Sequence, residues 1–283
     1  MLKKTGIKIV IVPAAVLLVL ICGTCEAYIL RGPYLLDRMT RKLDGIQSML
    51  VTQQVQFLDA DENGSSQAEE TLRYLFPQSF RSDARSEESQ RIHVVDHGRS
   101  MTVINGKRVG GDETVFDIYK DILLFRSRER LNDRLIDSGI DMSVVAYGRF
   151  EDKIAFVIGA EKPDDPVPRL WIDKETFLPM RWLVKKKSAE ADPVWVEIRY
   201  ADWRRIDHAW YPMQITYLQD GEPIREIRVD SLKTNLTFPQ ELFDVEHLKE
   251  KYAALLPEDK AGPVSGELNE IEQSIDEFRK KYE

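Results

Sequence analysis

The sequence predicts an α+β protein that is mainly antiparallel β: one large curved sheet that does not quite close, covered by an amphipathic helix. Three observations predict it. Short runs of period-two hydrophobicity recur along the chain, punctuated by turn dipeptides such as Asn105-Gly106 and Asp220-Gly221. These runs follow one another as hairpins with no long crossovers, the pattern of antiparallel pairing in one large sheet. A single stretch of helical period with one apolar stripe precedes the first strand.

The first residues form a basic start (Lys3, Lys4, Lys8), an uncharged apolar run over 9–22 and a small-residue stretch ending Cys25-Glu26-Ala27. This is the pattern of a secretory signal peptide with cleavage expected after Ala27. The apolar run is shorter than the roughly 20 residues a membrane span needs, and Pro13 interrupts it, so an uncleaved anchor is the lesser alternative. Lipidation would require a small residue before Cys22 or a better lipobox before Cys25, and Ile21 is too bulky. Both cysteines lie in this leader, so the mature chain holds itself by burial without disulfides. The leader's three lysines outweigh Glu26 by two, so its removal takes the formal charge from −8 to −10. Such a chain is a poor partner for nucleic acid or anionic membrane surfaces.

Along the chain, Leu35, Leu36, Met39, Leu43 and Ile46 recur at helical spacing and predict a helix over 33–48. Val51, Gln53, Val55 and Phe57 alternate with polar neighbours and predict a strand over 49–58. A polar, turn-rich stretch over 59–70 comes next, then strands over 71–80, 92–95 and 101–104. Between 112 and 139 the period returns to helical, predicting two short helices that interrupt the sheet. Strands are expected over 142–150, 153–158, 169–173, 180–185, 194–203, 210–219 and 223–235. Beyond Asp244 the pattern is charged and helical, over 245–255 and again over 267–282. The expected organisation is therefore a signal peptide (1–27), a half-barrel domain (28–244) and a helical C-terminal extension (245–283).

Enzyme signatures are missing. The chain carries no phosphate loop, no Gly-x-Ser-x-Gly elbow and no His-Glu-x-x-His zinc helix, so no catalytic residue and no cofactor is assigned. His93 and His97 lie close together but have no carboxylate cluster beside them, and both read as surface residues. Asp59-x-Asp61-x-Asn63-Gly64-x5-Glu70 fits a calcium-loop pattern, yet strands rather than helices flank it and Ser66 stands where an apolar residue is usual. A solvated hairpin loop accounts for it more simply, and no metal site is assigned. Trp171, Phe177, Trp182, Trp195, Tyr200, Trp203, Trp210, Tyr211 and Tyr217 crowd the second half of the sheet. They read either as ordinary core or as the lining of an apolar cavity within an unclosed sheet.

The order of these features resembles the LolA/LolB-like family of periplasmic lipoprotein carriers and outer-membrane lipoprotein-sorting proteins. The resemblance rests on Leu43-Asp44-Gly45-Ile46-Gln47-Ser48 running into Gln53-Gln54-Val55-Gln56-Phe57, on Pro77-Gln78-Ser79-Phe80-Arg81, on Leu170-Trp171-Ile172-Asp173 with Thr176-Phe177-Leu178-Pro179-Met180-Arg181, and on Trp210-Tyr211-Pro212-Met213-Gln214-Ile215. Two departures are the missing aromatic pair in 101–106 and the long extension past Asp244. The resemblance implies a half-open barrel that binds acyl chains or a lipidated partner without covalent chemistry, with membrane proteins as donor or acceptor. On this reading Leu36, Met39 and Leu43 are lid contacts and Arg81 is a latch or headgroup contact. The competing reading is a periplasmic sensor or scaffold of the same fold, docking a protein partner through its C-terminal helix.

Overall fold

The computed structural model describes residues 30–58, 65–87, 89–110, 113–186 and 194–254. The expected signal segment, most of the 59–70 loop and the expected helix over 267–282 lie outside the described residues. All the elements named below belong to the compact unit that begins at Arg31.

Among the described residues, thirteen strands form one sheet: β1 (Ser48–Leu58), β2 (Ser65–Leu75), β3 (Ser79–Arg85), β4 (Gln90–Asp96), β5 (Arg99–Ile104), β6 (Lys107–Gly110), β7 (Val145–Phe150), β8 (Lys153–Ile158), β9 (Arg169–Asp173), β10 (Pro179–Lys186), β11 (Val194–Ile206), β12 (Ala209–Gln219) and β13 (Glu222–Thr234). Their order is β6-β5-β4-β3-β2-β1-β13-β12-β11-β10-β9-β8-β7, and every neighbouring pair is antiparallel. The sheet is thus two meanders joined where its first strand meets its last. Because β6 and β7 are its two edges, it curves without closing into a barrel.

Among the described residues four α-helices accompany it: α1 (Gly32–Leu43), α2 (Tyr119–Leu124), α3 (Arg128–Asp137) and α4 (Val245–Lys251). Alternation assigns the faces of the sheet. On β1, Met49, Val51, Gln53, Val55 and Phe57 are buried on the concave side, while Thr52 and Gln54 reach outward to Ser231 and Asp230 of β13. The β6–β7 connection, which carries α2 and α3, runs from one edge to the other and packs α2 against the concave side.

The convex side is also covered in places. Ile92, Val94, Met101 and Val103 project outward from β4 and β5 and form a cluster with Val245 and Leu248 of α4. Asp244 caps that helix by accepting hydrogen bonds from the Glu246 and His247 amides. Immediately after it, Ala254 bridges Arg108 on the β6 edge in parallel sense. At the other end of the sheet, Trp171 lies outward among Ala155, Val157 and Met180. Gly148 makes room for it, since a Cβ there would stand 2.5 Å from the indole.

Three expectations need correction. The first helix ends at Leu43 and not at 48, because the chain turns at Gly45 with φ +116°. The stretch expected as one strand over 71–80 is the end of β2, which already begins at Ser65, followed by a turn and the start of β3. His93 is not a surface residue. It faces inward on β4 and is fully buried, its Nδ1 paired with Thr102 Oγ1 at 2.9 Å.

Candidate functional site

The lid is α1. Pro33 suits the first helical turn, and Arg41 and Lys42 in the last turn complement the helix dipole. Leu35, Leu36, Met39 and Leu43 share one face and are completely buried against α3 and β12. Removing each from water stabilises the closed arrangement by about 1.5 to 3 kcal/mol, an upper bound that assumes an extended unfolded chain. Among the described residues the side-chain hydrogen bonds of α1 stay within the helix: the exposed Arg41 pairs with Asp37, and the buried Thr40 donates to the Asp37 carbonyl. Among the described residues, no α1 side chain hydrogen-bonds to the sheet. Arg38 stacks 5.0 Å over Phe177 in the β9–β10 turn.

Beneath the lid the concave side has two characters. The β8–β12 half is apolar, with Phe156, Ile158, Leu170, Ile172, Trp182, Ile198, Tyr200 and Ile215 facing inward, all of them buried. The indole Nε1 of Trp182 is buried with no hydrogen-bond partner among the described residues. The β1–β5 half and β13 set buried polar and charged side chains among apolar ones and are occupied by the segment that carries α2. Gln53 Nε2 donates to Glu70 Oε2 at 2.6 Å and to the Tyr119 hydroxyl at 3.2 Å. Tyr217 and Arg225 both donate to the Phe116 carbonyl, and Tyr200 donates to the Tyr119 carbonyl.

Around them more charges are paired. Arg91 Nη2 meets Asp117 Oδ2 at 2.8 Å. Lys120, almost completely buried, donates to Glu113, to Asp121 at 3.2 Å and to the Asp117 carbonyl at 3.0 Å. Arg134 of α3 closes the set on Glu113 and Asp121. Burial alone would push the Asp117 carboxyl up, but Arg91, with His93 and Lys120, overrides it and holds the group well below the usual carboxylate range. Glu113 behaves likewise, burial being outweighed chiefly by Lys120. For Asp121 burial wins over Lys120, and its carboxyl is raised.

Of the residues expected to form the site, Leu36, Met39 and Leu43 come together on the inner face of α1. Arg81 does not join them. It lies on the convex side of β3, where Nε and Nη2 hold Asp83 and Nη1 donates to the Leu242 carbonyl at 3.1 Å. There it clamps the segment leading into α4. Glu70, the last position of the calcium-loop pattern, points inward from β2 to Gln53 and Ser82. The α2 charges are hidden in the sequence because a segment of mixed Asp, Lys and apolar residues looks like any exposed amphipathic turn. The available signal is the set of polar residues at inward strand positions, Gln53, Glu70, Arg91 and Arg225, which require buried partners.

An unclosed antiparallel half-barrel, its concave side covered by an apolar-faced helix, is the class of protein these features define. Comparison with protein-family models and with curated proteins finds no match. Comparison with solved structures does. A domain from Vibrio parahaemolyticus assigned to outer membrane lipoprotein sorting aligns over 77% of this chain and 97% of its own, at TM-score 0.52 and 12% identity. A LolA superfamily protein from Nitrosomonas europaea aligns over 77% and 100%, at 0.52 and 12%. A DUF1329 family protein from Desulfovibrio piger aligns over 77% and 98%, at 0.53 and 10%. The chain has the LolA-like fold.

Proposed function

We propose that the protein is a periplasmic carrier that binds acyl chains of a lipid or lipidated protein without covalent chemistry and serves outer-membrane lipoprotein sorting. On this reading residues 1–27 are a cleaved signal peptide, 28–244 the carrier domain and 245–283 an extension to it. Membrane proteins would be donor and acceptor, and no enzymatic step is involved.

The observation that carries the reading is the attachment of α1. Four fully buried apolar side chains hold it, and among the described residues no hydrogen bond ties it to the sheet. Apolar contact is non-directional, so an acyl chain can take the place of lid side chains at little cost, gaining about 0.8 kcal/mol for each CH₂ it buries. Leu36, Met39 and Leu43 are then the lid residues that cargo displaces, over the apolar β8–β12 half. The LolA-like fold supports this reading.

Native mass spectrometry of the mature protein purified from the periplasm is the direct test. Co-purifying acyl lipid is expected, as is uptake of a fluorescent fatty acid. The double variant Leu36→Asp/Met39→Asp should bind that probe at least about tenfold more weakly, since two charges would face an apolar wall. An empty protein that takes up no probe would overturn the proposal.

A further inference from the structure

The connection between α2 and α3 contains a cation that stands apart from the ion pairs around Lys120. Arg126 stacks 4.0 Å over the Phe76 ring, and its Nε and Nη1 are buried with no hydrogen-bond partner among the described residues. The residue as a whole keeps partial solvent contact. The oxygens that influence it are those of Asp44, Tyr74 and Tyr211, and none of them bonds to it. The two hydroxyls are paired with each other at 3.2 Å. Asp44 is exposed and forms the C-terminal cap of α1.

Burying guanidinium nitrogens without acceptors is costly, and a purely structural position would place a carboxylate or carbonyl against them. The other cations described on the concave side, Arg91, Lys120, Arg134 and Arg225, each have such an acceptor. Around Arg126 the surroundings are instead aromatic: Tyr74 stacks on Phe76 at 5.6 Å and meets Phe80 and Tyr211 edge-on. This is a guanidinium held in orientation by rings, with donors left open. The one carboxylate that influences it belongs to the lid and would move away with it.

We propose that Arg126, seated on Phe76 beside the C-terminal end of the lid, binds the anionic group, phosphate or carboxylate, of the amphiphile that the half-barrel takes up. The proposal rests on the carrier reading and adds the headgroup to it. When the lid is closed, Asp44 partly compensates the charge at a distance. When α1 shifts to admit an acyl chain, Asp44 leaves with it and the cargo's anion takes its place, now in direct contact.

The test uses the mature protein labelled with ¹⁵N, following the Arg126 Nε–Hε resonance. Ethyl phosphate and acetate, which have no long tail, should shift that resonance saturably. Hexadecyl phosphate and hexadecanoate should bind at least about tenfold more tightly than hexadecanol, the range expected of charge-assisted hydrogen bonds. Whichever of the two binds better identifies the headgroup.

In Arg126→Gln this preference should fall below about twofold, and Arg126→Lys should restore part of it, because a lysine supplies the charge without the bidentate fork. Thermal unfolding of both variants checks that they are folded. An unmoved resonance, equal affinity for the three amphiphiles, or an equal loss for all three in Arg126→Gln would overturn the proposal. If hexadecanol still bound, the carrier reading would survive that failure. If ethyl phosphate shifted the resonance but no long-chain amphiphile bound, the anion contact would stand and the carrier reading would fall.

Discussion

Asp117 shows how much rests on single buried charges. Its carboxylate accepts from Arg91, from the Thr114 amide and from the Thr114 hydroxyl, all within 3.0 Å, so one side chain both pairs a buried guanidinium and shapes the entry to α2. Asp117→Asn keeps the shape and removes the charge, leaving the Arg91 guanidinium buried without its anion. The expected cost is about 3 kcal/mol, read from urea denaturation. Mutating both partners, Asp117→Asn with Arg91→Met, should cost less than the sum of the single changes, because the uncompensated charge disappears. None of this is legible in the sequence. Polarity at position 117 does not say whether a residue faces water or lysine, since that depends on the β6–β7 connection crossing the concave side. His93 misleads for the same reason: alternation on a short strand shows that two faces exist but not that both are covered.

The elements are more legible than the contacts between them. The lid helix and the hairpins of the second half stand close to where periodicity puts them, because each buries one face and their turns carry residues suited to positive φ, as at Asp220-Gly221. β3 is only partly visible because Ser79–Arg85 is covered on both sides: inward, Phe80 lies under Lys120 of α2 and Ser82 donates to Glu70 of β2, and outward, Arg81 donates to the Leu242 carbonyl ahead of α4. A strand that satisfies itself with ion pairs leaves no hydrophobic alternation to read. Helix α4 makes the converse point. At seven residues it is too short to persist alone, yet Val245 and Leu248 complete the convex cluster on β4 and β5. Leu248→Ala should therefore destabilise the fold by about 2 to 3 kcal/mol, measured by urea denaturation. The same variant should raise hydrogen exchange at the Arg108 amide, which donates to the Ala253 carbonyl just beyond α4.

For the whole molecule the buried ionisable groups set a pH window. Tyr74, Tyr119, Tyr200, Tyr211 and Tyr217 are all raised, burial being the main cause in each. Their hydroxyls stay protonated in the native state where the unfolded chain ionises, so stability is whole below about pH 10 and falls as pH rises beyond it. On the acid side, Asp117 and Glu113 are depressed. Their contribution is complete above the ordinary carboxylate range near about 4 and drains as pH falls from there. Asp121, raised by burial, runs the other way and offsets part of that loss. Urea midpoints between about pH 3 and 11 should thus decline more steeply on the alkaline side, where the five tyrosines act together.

The meeting of β1 with β13 also has a mechanical meaning. Met49 lies opposite Thr234, so the start of the first strand and the end of the last sit at the same end of the pair. A pull applied there, once α1 and α4 have been peeled back, loads the central hydrogen bonds one after another, as in a zipper, and not all at once in shear. The sheet would part down its middle at low force into two meanders, still leashed by the α2–α3 connection that runs from edge to edge. Its weakest line under tension is therefore its geometric centre.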